Sequence, residues 1–359
     1  MGDRAARLRA GMPLLTPLAW LYRGGLALAR ATGSARREAH PGARVVSVGN
    51  LEVGGSGKTP LAMLVLEAAI AGGQRVAYVT RGYGSRAERG PLVSLVLPTE
   101  EPPVDGLAGA RVIDRGGPVD LADALGDETA LVAERVPGAV VVAGAGKTDA
   151  VRAAIALGAT LVVVDDAFQS WRLARDVDVV LLDARRPLGP GKLLPAGSLR
   201  EGPGALRRAD AIVFNGAGDA DAIAAATRQI QRWIRPGTPV LGMTRTPSLM
   251  PVVPSSEARP ARALVVAGIA RPDRLREDVT TLGVVVAGER WFRDHHRYGA
   301  SDVENIHAAA AAARADALLV TEKDWVKLRR FVWALPVWKV RLDVALTEDS
   351  LGPLLFPHE

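Results

Sequence analysis

Short runs of almost continuous apolar, largely β-branched residues alternate along most of the chain with longer stretches rich in alanine and leucine. RVVSV from Arg44, RVAYVT from Arg75, AVVVA from Ala139, TLVVV from Thr160, DVVLL from Asp178 and DAIVF from Asp210 are each too short for a typical helix. Apolar runs of this kind mark strands buried on both faces, as in a parallel sheet. The stretches between several of them, such as PLAMLVLEAAIAGG from Pro60, predict crossover helices. Strand and helix in alternation predict an α/β fold built on a doubly wound parallel sheet. Further runs at ALVVAG from Ala263, GVVVAG from Gly283 and ALLVT from Ala317 predict a second, smaller α/β unit. The join is expected near residues 235–256, where Pro, Thr and Ser accumulate.

The chain opens differently. Arg4, Arg7 and Arg9 precede an apolar stretch in which Leu14, Leu18, Leu21 and Leu28 fall close to helical spacing, with Gly25 on the same face. Pro17 places the start of a regular helix there. Arg23 interrupts the stretch too early for the roughly 20 apolar residues of a membrane span. A cleaved signal is disfavoured, because the remainder of the chain reads as nucleotide-binding and would need cytoplasmic ATP. Two readings stay open: an interfacial amphipathic helix with Trp20 and Tyr22 at the headgroup boundary, or a helix packed on the domain.

Composition narrows the chemistry. The 359 residues are 48% hydrophobic and 23% charged, which is globular. No cysteine is present, so disulfides, thiolate zinc sites and cysteine nucleophiles are excluded. The net charge of +6 favours anionic partners. The arginines are dispersed and no nucleic-acid-binding motif is found, so no nucleic-acid partner is expected.

Two segments end in GKT after an apolar run: VGNLEVGGSGKTP at 48–60 and VVVAGAGKTDA at 140–150. Each approximates the phosphate-binding pattern G-x-x-x-x-G-K-[ST], with Glu52 or Val141 in place of the first glycine. Lys58 and Thr59 supply the phosphate cation and the metal-binding hydroxyl, and so could Lys147 and Thr148. The first loop is richer in glycine: Gly54, Gly55, Ser56 and Gly57 lead into Lys58. Asp165 and Asp166 follow the run TLVVV, where a metal-binding carboxylate belongs. The first loop is therefore the expected nucleotide site.

With these residues in place, the chain resembles the tetraacyldisaccharide 4'-kinase (lipid A 4'-kinase) family from about Pro13 to Leu328. The motifs that carry the resemblance run in order: SVGNLEVGGSGKTP, TRGYGS at 80–85, GDE at 126–128, DDAFQ at 165–169, LLDARRPLGPGKLLPAGSLRE at 181–201, AGIARP at 267–272, DHHRY at 294–298 and TEKDWVKL at 321–328. The family's first motif also lacks the early glycine. At the second GKT the family carries an arginine near Lys147, so that loop reads as a coincidence in which Lys147 keeps a cation.

The resemblance implies a P-loop kinase core over residues 33–240, a smaller domain over 241–359 and a membrane-associating helix over 1–32. It implies transfer of the ATP γ-phosphate, with Mg²⁺, to the 4'-hydroxyl of a tetraacylated glucosamine disaccharide 1-phosphate. The acylated lipid and the inner-membrane surface are the implied partners, and the implied location is peripheral, on the cytoplasmic face of the bacterial inner membrane. Thr59, Asp165, Asp166 and Glu201 are the implied metal ligands or their water shell. Asp127, assisted by His295 rather than His296, is the implied base at the acceptor hydroxyl. Arg81, Arg185 and Arg186 are candidates for phosphate.

Ala167 and Ser170 depart from the family's DDGFQH. The alanine is tolerable at a negative φ, while the serine removes a proton-handling group. A second function class therefore stays open: an ATP-binding switch or partner-binding module without lipid kinase activity.

Overall fold

The computed structural model describes residues 15–34, 38–55, 57–89, 93–96, 110–113, 120–252, 259–348 and 351–356. Ser56, Leu14 and the early arginines lie outside the described residues. The chain divides into two units, one of residues 3–244 with 344–359, the other mainly of Arg245–Asp343.

The strands of the larger unit are β1 (Arg44–Gly49), β2 (Val76–Thr80), β3 (Val93–Val96), β4 (Ala110–Val112), β5 (Val140–Ala143), β6 (Leu161–Asp165), β7 (Val177–Asp183), β8 (Ala211–Asn215) and β9 (Val240–Pro251). β9 crosses the boundary between the units. The strands lie in the order β9-β8-β7-β1-β6-β2-β5-β3-β4. Every pairing given for this sheet is parallel except β3 with β5. β1 sits between β6 and β7, neither of which is its neighbour in sequence. Such a reversal of strand order opens a crevice at the carboxyl ends of the strands.

Helix α1 (Thr16–Ser34) precedes the sheet, and α2 (Lys58–Ala71), α3 (Asp127–Arg135), α4 (Lys147–Ala156) and α5 (Ala220–Ile230) follow strands or lie between them. β1, β2, β5, β6 and β8 are buried at nearly every position, as their unbroken apolar runs require. One core joins Val45, Val79, Val142 and Val164 to Ala150, Val151 and Ala154 of α4. Another gathers Phe168, Val180, Ile212 and Phe214 with Ala226 and Ile230 of α5.

The smaller unit holds β10 (Arg262–Ala267), β11 (Val285–Trp291), β12 (Ala317–Thr321) and most of β13 (Val337–Leu346), in the parallel order β11-β10-β12-β13. Its helices are α6 (Pro272–Thr281), α7 (Ala300–Ala313) and α8 (Glu322–Leu328). Val265 and Leu319 pack with Leu275 and Val279 of α6, while Leu264 and Leu318 pack with Ile306 and Ala310 of α7. Alternate residues thus enter opposite cores, the period of a sheet covered on both faces.

The proline-rich stretch expected as a join forms β9, and the division between the two units falls within it, at Arg245. Its pairing with β8 uses only Val240–Met243, so Pro247 and Pro251 lie beyond the residues that need an N–H for that ladder. The chain then comes back: residues 344–359 belong to the larger unit, where Arg44 donates to the Leu354 carbonyl at 2.9 and 2.6 Å.

Helix α1 docks on the larger unit by one face. The Tyr22 hydroxyl donates to the Arg200 carbonyl at 3.0 Å, Arg30 lies 5.4 Å over the Trp171 ring, and Gly33 meets the Trp171 side chain. Leu18, Trp20, Leu21 and Leu28 remain exposed. Among the described residues no helix is long and apolar enough to cross a membrane.

Candidate active site

The loop after β1 turns into α2 through Gly57, whose φ is +94°. A Cβ there would lie 2.6 Å from the Asn215 amide nitrogen at the end of β8, so glycine is needed for both backbone and space. Gly57 gives α2 no side-chain cap. The first-turn N–H groups of such a helix form an anion site. Pro60 stands in that first turn, where a missing N–H costs no intrahelical bond.

Glu52, the residue that breaks the loop pattern, has a different job. Its Oε1 accepts from the Ser198 hydroxyl at 2.5 Å. Val53 N donates to the Ser198 carbonyl at 2.9 Å, and Arg200 N to the Leu51 carbonyl at 2.7 Å. The phosphate loop is thereby laced to the segment that ends in Arg200 and Glu201.

Asp165 closes β6, in register with Val48 of β1. Asp166 N donates to the Val48 carbonyl at 2.8 Å, and Asp166 itself adopts a left-handed φ of 50°. Lys58 Nζ lies 3.5 Å from Asp166 Oδ1, and Arg200 donates to Asp166 Oδ2 at 2.6 Å. Lys147, the first residue of α4, reaches the same turn from β5. Its Nζ donates to the main-chain carbonyl of Asp165 at 2.7 Å and also to that of Asp166. The lysine of the second GKT is therefore built into the site of the first.

Burial and charge split the two carboxylates. Burial pushes Asp165 up to about 7, against the pull of Lys58. Burial acts on Asp166 in the same direction, but Lys58, Arg200 and Lys147 overcome it and hold that carboxyl below the usual range. Burial also lowers Lys147 to about 8, against the neighbouring aspartates. Asp165 Oδ1 is buried with no hydrogen-bond partner. The Tyr78 hydroxyl is buried beside Asp165 and Thr59, with no well-formed hydrogen bond to either.

These features fit a divalent cation, which a buried carboxylate oxygen without a donor would accept. Among the described residues no three His, Cys, Asp or Glu side chains form a metal cage. Mg²⁺ binds through one or two carboxylates plus phosphates and water. Glu201 accepts from Arg208 at 2.9 and 3.2 Å, so it would share its carboxylate with that cation.

Asp127 begins α3 after Gly126, is buried, and accepts from Glu128 N at 2.9 Å. His295 belongs to the smaller unit, so the expected pair is divided between the units. Within that unit the adjacent histidines differ. His296 Nε2 lies 3.0 Å from Asp302, and its ring stacks on Phe292. His295, at a left-handed φ of 58°, faces Lys323 and Asp294. Arg81, Arg185 and Arg186 are exposed. Ala167 is fully buried and does not have a positive φ, which is the condition for alanine to replace glycine there.

Sequence reasoning missed the Glu52 tether, Tyr78 and the part Lys147 plays, having read that lysine only as a retained cation. Only Lys147 carried a signal, its GKT at the end of a buried strand.

A glycine-bearing phosphate loop, its lysine, and an acidic pair on the adjacent strand define a P-loop nucleotide-binding protein of the α/β class. Comparison with known proteins narrows the class. The sequence profile of the family described as LpxK, tetraacyldisaccharide-1-P 4'-kinase, matches residues 12–356. The tetraacyldisaccharide 4'-kinase of Anaeromyxobacter sp. strain Fw109-5 is 37% identical over 369 residues, covering 99% of this chain and 94% of that one. That of Geobacter metallireducens is 37% identical over 292 residues, 79% of this chain and 78% of its own. A crystal structure described as the "apo" form of LpxK from Aquifex aeolicus in complex with ATP superposes with a TM-score of 0.69 at 25% identity, covering 98% of this chain and 99% of that one. The chain belongs to the tetraacyldisaccharide 4'-kinase family, and that membership makes it a kinase.

Proposed function

We propose that this protein transfers the γ-phosphate of ATP to the 4'-hydroxyl of a tetraacylated glucosamine disaccharide 1-phosphate, a step of lipid A biosynthesis. The observation that carries this reading is the convergence of Lys58, Asp165 and Asp166 at the carboxyl ends of β1 and β6. Family membership favours it over a phosphate-binding switch without kinase chemistry.

Phosphoryl transfer is mainly positioning and charge stabilisation. The first turn of α2 and Lys58 hold the phosphates. Thr59 and Asp165, with Asp166 beside them, would hold Mg²⁺, which would neutralise charge on the phosphate oxygens. Arg200 and Lys147 keep Asp166 ionised and its turn fixed. Asp127 and His295 form the base unit at the acceptor hydroxyl. His296 is engaged by Asp302 and Phe292, and His295 by Lys323.

The exposed apolar face of α1 and the chain's positive charge support peripheral attachment to the inner membrane, at its cytoplasmic face. The deciding experiment measures ATP consumption in detergent with and without the disaccharide lipid. Acceptor-dependent turnover is expected; ATP hydrolysis indifferent to the lipid would favour the switch.

A further inference from the structure

The motif TEKDWVKL has no part in the chemistry above, yet its side chains reach DHHRY. Lys323, the second residue of α8, donates to Asp294 Oδ1 at 2.9 Å, and its Nζ lies 3.4 Å from His295 Nε2. Asp294 Oδ2 is 3.8 Å from the same ring nitrogen, beyond hydrogen-bond reach. Asp324, fully buried, accepts from the Tyr298 hydroxyl at 2.9 Å, the Thr321 hydroxyl at 2.6 Å and Gly268 N at 3.1 Å. Arg330 donates to the Tyr298 carbonyl at 2.8 Å. The two motifs are cross-bonded at both ends, so α8 holds the histidine loop and sets Lys323 against the ring.

We propose that Lys323 is a positioning residue for His295, holding its imidazole neutral with Nε2 as acceptor and the proton on Nδ1. The reason is the donor inventory: an ammonium only donates, so the ring nitrogen it bonds must offer a lone pair. The bond made by one ring nitrogen fixes the role of the other. Asp294 holds the ammonium in place by its ion pair. The Nδ1 proton is then the one a carboxylate partner engages. The functional side of this proposal rests on the reading of His295 as part of the base unit.

The full chain has five histidines, so ¹⁵N-histidine labelling gives a spectrum in which His295→Gln assigns the His295 signals. The wild-type protein should show His295 as a single neutral tautomer protonated at Nδ1. Lys323→Met should shift that pattern towards a tautomer mixture and lower kcat by roughly tenfold with KM for ATP unchanged, a part of the roughly hundredfold or more that acid–base groups supply. Lys323→Arg, which keeps a cationic donor, should retain the pattern. Asp294→Asn should move the signals in the same direction by less, and decides the matter if Lys323→Met does not fold. A His295 pattern unchanged in the folded variants overturns the proposal. If His295→Gln keeps full kcat while Lys323→Met still moves the ring signals, the positioning stands and the base reading of His295 fails.

Discussion

The side chain of Lys147 donates to the main-chain carbonyl of Asp165 at 2.7 Å, so the second GKT serves the acidic turn of the first nucleotide loop. Removing the ammonium takes a charged donor from two main-chain carbonyls, at a cost of roughly 1–3 kcal/mol. Lys147→Met should lower Tm and reduce ATP-dependent activity partially, whereas Lys58→Ala should abolish that activity. The reverse ranking of the two variants would move the nucleotide to the second loop.

Asp165 and Asp166 give opposite signs of pH dependence. Asp165 is raised from 3.8 to about 7, so the fold favours its protonated form. Its contribution to stability is complete below the ordinary carboxylate value and is lost as pH rises through about 7. Asp166 is lowered, so its contribution is present above the ordinary value and is lost only as pH falls through the lowered one. A cation needs Asp165 ionised. Added Mg²⁺ should therefore raise Tm more at about pH 8 than at about pH 6, because ligands that bind only the folded state stabilise it by mass action. Equal shifts at both pH values would remove Asp165 from the metal site.

The Glu52–Ser198 bond ties the phosphate loop to the segment carrying Arg200. Glu52→Ala and Ser198→Ala should each raise KM for ATP. A double-mutant cycle should give a coupling of roughly 0.5–3 kcal/mol, the range for residues in direct contact. Additive effects would mean the contact does not organise the loop.

Leu21 and Leu28 project from α1 at 74% and 67% exposure, on a helix whose other face is docked. Leu21→Glu with Leu28→Glu should reduce flotation with anionic liposomes and leave Tm nearly unchanged. Undiminished flotation would place the anchor elsewhere.

Asp127 and His295 should be non-additive in kcat, the double alanine variant being little worse than the worse single. Each single should lower kcat far more than it weakens ATP binding. Strictly additive losses would assign them separate jobs.

The strands were legible because burial on both faces leaves a mark that needs no neighbour: RVVSV, TLVVV and DAIVF became β1, β6 and β8 almost residue for residue. Lys58, Asp165 and Asp166 were legible for a related reason, since a phosphate loop and a strand-end carboxylate pair are local patterns. β9 and β13 were not read from the sequence. Neither carries an unbroken apolar run, and β9 holds Pro247 and Pro251, which lie beyond its pairing with β8.

The sequence by itself therefore determined the α/β alternation and singled out the glycine loop before Lys58 and the acidic pair that the fold brings beside it. Tertiary structure decided which side chains serve them. Glu52 looked like a defect in a motif until Ser198, far along the chain, gave it a partner. Lys147 looked like a coincidence until β5, β2 and β6 lay side by side and brought its ammonium onto two carbonyls. A motif records contacts made along the chain, whereas these bonds exist only because a parallel sheet collects the ends of strands distant in sequence at one edge.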